Sequence, residues 1–129
     1  MSFYKLSAIT ALIAALLSVA LMGVPELLFY LFNIEASDAT YFMGRRASIL
    51  FLGLALVSWQ IRKISDKTIQ LAVSLSFMVI MFGLAILGSI EFTLNNAGVG
   101  IFLAIITELT LGLFYLKIWR EKRLHTNPT

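Results

Sequence analysis

Five charged side chains interrupt otherwise apolar stretches of this chain, and any chemistry must begin with them: Glu26, Arg45, Arg46, Glu91 and Glu108. Glu108 lies in FLAIITELTLGLFYL, residues 102–116, where every other position is apolar, small or a hydroxyl. An unpaired carboxylate in hydrocarbon is strongly disfavoured. Two states are therefore expected. Glu108 is either a neutral acid donating to a nearby carbonyl or hydroxyl, with Thr107 and Thr110 as local helpers, or an anion paired with a guanidinium from Arg45 or Arg46. A glutamate beside an arginine can support proton transfer, but nothing in the chain demands catalysis.

Other chemistries lack their residues. The chain has no cysteine and one histidine, His125, in its polar tail. Thiolate metal sites, a haem held by two histidines and a histidine-activated serine are thus not to be expected, nor is any cofactor. No basic run is dense enough to favour nucleic acid as a partner.

The elements that position these charges follow from hydropathy. Of the 129 residues, 60% are hydrophobic and 13% charged, about half the charge of a soluble domain. Apolar segments run over 6–32, 40–61, 69–90 and 99–119, and each is long enough to cross about 30 Å of hydrocarbon as a helix. The second is the exception in composition. Its uncharged part, 47–61, rises only about 22 Å, so the helix is expected to begin near Thr40 and to carry Arg45 and Arg46 in the bilayer margin on snorkelling stems. The links 33–39, 62–68 and 91–98 are short, which makes successive helices antiparallel neighbours. The expectation is a single all-α domain over 1–129, an integral membrane four-helix bundle.

Charge asymmetry orients it. Lys5, Arg62, Lys63, Lys67, Lys117, Arg120, Lys122 and Arg123 fall on one side, Arg45 and Arg46 on the other. Positive charge is retained in the cytoplasm, so both termini are expected there, in a bacterial inner membrane. Trp59 and Trp119 fall near the same boundary, as amphipathic rings should. MSFYK followed by an apolar run with SVA at 18–20 has features of a signal peptide. The apolar stretch nevertheless continues to Phe32, as a first span requires.

Depth then brings the charges together. Every fourth residue of the last helix reads Gly100, Ala104, Glu108, Gly112, a small-residue face suited to close helix contact. Ile101, Ile105, Leu109 and Leu116 form the bulky flank expected to meet lipid. Pro25 strips one backbone bond from the first helix and leaves the Leu21 carbonyl without its donor. Glu26 beside it completes a polar notch. Glu26, Arg45, Arg46 and Glu108 are accordingly expected to share an outward-opening interior, with Glu91, Tyr41 and Asn95 at its mouth. Adjacent arginines diverge by about 100° around a helix, so one of the two is expected to face lipid phosphate instead.

The stretch from GVPELLFYLF to TYFMGRRASILFLGLALVSW resembles a family of small bacterial four-helix membrane proteins of unknown function, DoxX-like in outline and in particular the DUF4345 group. The resemblance rests on Pro25, on the Gly44–Arg45–Arg46 neighbourhood and on the run from Gly53 to Leu56 followed by Trp59. It implies a four-helix bundle and brings no activity with it. The leading functional expectation is binding of a small amphipathic or anionic molecule in that polar pocket. Proton-coupled small-molecule transport centred on Glu108 is the alternative, and a structural or partner-binding subunit the third. Membrane lipid and further copies of the chain are the expected partners.

Overall fold

In the computed structural model, which describes residues 1–125, the helices begin where side chains can cap them. Ser2 accepts from the Lys5 N–H at the start of α1 (Phe3–Gly23). Ser37 and Thr40 bond each other's backbone in a capping box that opens α3 (Asp38–Ile61). Asp66 accepts from the Ile69 N–H at 3.0 Å to start α4 (Lys67–Thr93). Such caps satisfy donors that the first turn leaves orphaned. The last helix, α5 (Ile101–Leu124), follows a glycine-rich turn.

The first expected span, 6–32, is two helices. α1 ends at Gly23 and α2 (Pro25–Phe32) begins at the proline. The cause is local. Proline forces the preceding residue out of the helical region, and Val24 sits at φ −142°, ψ 57°. Pro25 then occupies the first position of α2, where its missing N–H costs nothing. Asn33 ends α2 in the left-handed region at φ 55°, and the Ile34 N–H returns to the Phe29 carbonyl at 2.8 Å.

Four helices, α1, α3, α4 and α5, are long and apolar enough to cross a membrane. They pack as two antiparallel pairs. In the first pair, Gly44 of α3 lies against Leu21, and Ser48 donates to the Ser18 carbonyl at 2.8 Å. In the second, Gly88 of α4 receives Ile101 and Ile105, and Gly112 of α5 receives Phe82 and Met81. Ile105, expected to face lipid, is therefore buried: Gly88 leaves a gap that its side chain fills. The pairs meet more sparingly, chiefly along α1 and α5. The core lies toward the end that holds the described termini, where Phe3 and Leu6 pack with Phe77, Tyr115 and Ile118.

Polarity is distributed inside out for a water-soluble bundle. Ser7, Ser58 and Ser74 are fully buried, while Leu12, Leu16, Val19, Leu50 and Ile106 are each more than half exposed. Small hydroxyl residues between helices and leucines outside are the arrangement of helices packed in lipid.

The end away from the termini is closed by α2. Its last turn docks on the link before α5, with the Gly98 N–H donating to the Phe32 carbonyl at 2.8 Å. Gly100 lies against the Leu31 backbone, and a Cβ there would overlap the Leu31 carbonyl oxygen. Its φ of −60° suits any residue, so space rather than conformation demands glycine. Gly100→Val is expected to lower unfolding stability by about 1–3 kcal/mol through overpacking. Gly53→Ala, whose added Cβ meets nothing within 4 Å, should not. Thermal unfolding of the detergent-solubilised variants, followed by circular dichroism, checks both.

Candidate functional site: a seam cavity with one carboxyl

Tight packing within the pairs and sparse packing between them leaves a cavity of about 210 Å³ at their seam. From α1 it is lined by Ala14 and Leu17, with Thr10 at the level nearest the core. Leu28, Leu31 and Phe32 of α2 contribute, with Phe51 and Leu54 from α3 and Met81 and Leu84 from α4. α5 turns Ala104, Thr107, Glu108 and Leu111 toward it. The small-residue face read along the last helix does point inward, but not all at one neighbour. Gly100 meets α2, Gly112 meets α4, and Ala104 and Glu108 face the cavity between.

Glu108 is the one charged residue type in that lining. It is half-buried and has no hydrogen-bond or ion-pair partner among the described residues. The two threonines expected to help it are otherwise engaged. Thr107 donates to the Leu103 carbonyl at 2.8 Å and Thr110 to the Ile106 carbonyl at 2.7 Å. Both bonds close within α5 itself, the usual back-bond of a helical threonine. The carboxyl thus faces an apolar space with its hydrogen-bonding capacity unspent.

The other expected site residues lie elsewhere, and the shared charged interior is not formed. Arg45 and Arg46 are exposed, Arg46 over the Phe42 ring at 5.7 Å, and neither forms an ion pair with a glutamate among the described residues. The reason is the buried face of α3, which runs Gly44, Ser48, Ala55, Ser58. With Gly44 pressed on α1, the next two residues rotate away by about 100° and 200°. Glu26 is exposed beside the buried Pro25 and accepts from the Tyr41 hydroxyl at 3.0 Å. Tyr41 also meets Phe29 edge to face, at 5.3 Å between ring centroids. Glu91 accepts from the Asn96 amide at 2.8 Å, and Asn95 turns the chain at φ 60°. Glu26, Tyr41, Glu91 and Asn95 therefore tie the α2 end of the bundle together in two local pairs and a turn. None of them lines the cavity.

Sequence reasoning missed the pair beneath the cavity. Tyr115 is fully buried and its hydroxyl lies 2.8 Å from Thr10 Oγ1, across the seam from α5 to α1. Its ring stacks on Phe77 of α4 at 4.9 Å and 12°. A signal was present in α1, where Ser7, Thr10, Ala14 and Ser18 form a small and hydroxyl stripe at helical spacing. Among the described residues no group of three side chains is arranged to hold a metal ion.

No protein-family model matches the chain, and no curated protein or solved structure matches it either. The geometry stands alone. A double-mutant cycle on Thr10→Val and Tyr115→Phe is expected to return a coupling of about 1 kcal/mol, within the range for interhelical hydrogen bonds in lipid. Additive effects in detergent or bilayer unfolding would mean that the hydroxyls stabilise nothing jointly.

Proposed function

We propose that this chain is a multi-pass protein of the bacterial inner membrane, with both termini cytoplasmic, that binds a small amphipathic molecule in the seam cavity. The observation that carries the reading is an unpartnered carboxyl facing an apolar space walled by both helix pairs. Pockets that bind small molecules are mostly apolar with a few placed polar groups, and this one has that make-up on a small scale. A cavity of about 150 Å³ accepts benzene; by that measure 210 Å³ suits an apolar body of roughly eight heavy atoms. Glu108 then selects the polar end. As an anion it receives an amine or hydroxyl, and as a neutral acid it donates to a carbonyl or ether.

This is the amphipathic branch of the sequence expectation. An anionic head would meet Glu108 without a cation beside it, so the arginines take a separate role. Arg45 and Arg46, exposed near the α2 end, are suited to lipid phosphate at the periplasmic boundary. Eight basic residues near the opposite end support the orientation. Arg62 over Trp59 at 3.4 Å and Arg123 over Trp119 at 4.9 Å supply that boundary with rings and charge together.

Native mass spectrometry of the gently extracted protein tests the ligand. A retained small molecule is expected on wild type, lost from Ala104→Phe, which fills the cavity, and weakened at least several-fold in Glu108→Ala. No adduct on wild type, or equal retention by Ala104→Phe, rejects the site. The absence of cysteine makes the orientation directly readable. A cysteine at Ala36 should react with an impermeant maleimide in intact spheroplasts, and one at Ser65 only after lysis. The reverse pattern overturns the proposed topology.

A further inference from the structure

The end of the bundle that holds the described termini gathers four segments around one surface depression of about 420 Å³. The start of α1 supplies Ser2 and Tyr4, the link between α3 and α4 supplies Arg62 and Lys63, and α5 supplies Lys122. Gln70, one turn into α4, lies in the same wall. Three cations line this concavity and no acidic residue does. The acids adjoining it in sequence are engaged elsewhere. Asp66 caps α4 through the Ile69 N–H at 3.0 Å, and Glu121 lies 3.9 Å from Lys117.

Local bonds hold the depression in shape. Gln70 Nε2 donates to the Ile64 carbonyl, and the Ile64 N–H returns to the Ile61 carbonyl at 3.0 Å. Arg62 sits over the Trp59 ring and donates through Nη1 to the Trp59 carbonyl. Phe3 anchors the start of α1 in the core. Two polar atoms of this wall are nevertheless buried without a partner: Gln70 Oε1, in a residue only 8% exposed, and Arg62 Nε. One is an acceptor and the other a donor. Native structures pair buried polar groups. Unlike the buried serines between the helices, Gln70 and Arg62 line one concavity, where a ligand carrying an anion and a hydroxyl meets both needs.

We propose that this depression binds the glycerol phosphate group of an anionic membrane lipid, with Arg62 and Lys63 on the phosphate and Gln70 on a headgroup hydroxyl. Basic pockets between transmembrane helices bind lipid head groups in this way. The start of α1 adds the positive end of its helix dipole. Soluble glycerol phosphate offers the same chemistry, but exposed Tyr4 and the Trp59 ring beside Arg62 are the aromatic collar of a bilayer boundary, which favours the lipid. The inference rests on the proposed membrane setting and not on a ligand in the seam. The competing account is a solvated basic face whose charge only orients the chain. That account is indifferent to which cations of this end are removed, and to Gln70, so the two separate.

Native mass spectrometry of the full chain in detergent, titrated with phosphatidylglycerol, reads the site. One saturable adduct is expected. Arg62→Gln with Lys63→Gln should weaken it about tenfold or more, the loss expected for charged hydrogen bonds. Arg120→Gln with Arg123→Gln is the control. It removes the same charge and an equivalent arginine–tryptophan stack outside the depression, and should change little. Phosphatidylmethanol, with the same charge but no headgroup hydroxyl, should bind wild type several-fold more weakly, and Gln70→Leu should abolish that difference. If the first double variant does not fold, Lys63→Gln, at an exposed position, is read alone. Equal weakening by the control pair overturns the site, and so does loss of the adduct from Ala104→Phe, which assigns it to the seam. Equal binding of the two lipids by wild type overturns the Gln70 contact. Displacement of the lipid by soluble glycerol phosphate at equal concentration overturns the lipid as its source.

Discussion

Two tight helix pairs joined by a loose seam are the constraint from which the rest follows, and the buried Tyr115–Thr10 hydrogen bond is a side-chain tie across it. Apolar contact between helices gains little where the surroundings are themselves apolar, so association there rests on close backbone approach and interhelical hydrogen bonds. Within the pairs, glycines and serines provide the approach: Gly44 and Ser48 against α1, Gly88 and Gly112 between α4 and α5. Between the pairs such contacts are few. Tyr115 compensates by touching both partners at once, with its hydroxyl on α1 and its ring on α4.

The cavity is the other face of that arrangement. Where Tyr115 fills the seam, the bundle is a core; further along the seam the same gap stays open. Closure depends on α2, and α2 exists because Val24 before the proline cannot remain helical. An unbroken first helix would continue along its own axis, and Leu28, Leu31 and Phe32 would not reach over the opening. Gly98 and Gly100 then let the α2 backbone seat directly on the link before α5. One proline and two glycines thus turn a span's last third into a cover.

Hydropathy made the four long helices legible, because twenty apolar residues in a row have few other uses. It could not say which way a side chain turns. The paired arginines show why: neighbours on a helix diverge by about 100°, and what turns both outward is neither of them but the buried face of α3, Gly44, Ser48, Ala55 and Ser58, with Ser48 bonded to α1. Ile105 was misjudged for a related reason, since its burial depends on a gap at Gly88 in another helix. Glu108 was legible as facing inward, from the small residues one turn on either side. Its lack of a partner was not, because that depends on three other helices leaving it alone.

On the proposed binding role, that lack of a partner would make occupancy of the cavity and protonation of Glu108 one equilibrium. An occupant that brings a donor or a cation interacts differently with the anion and the neutral acid. Thermodynamic linkage then requires that protonation change the occupant's affinity by the same factor by which the occupant changes the proton's. With no second charge in the lining, nothing in the wall dilutes this coupling. Had Arg45 turned inward, the anion would be held whatever the cavity contained, and binding would be insensitive to protons. With the face from Gly44 to Ser58 buried and both arginines exposed, no guanidinium of α3 competes for the carboxyl.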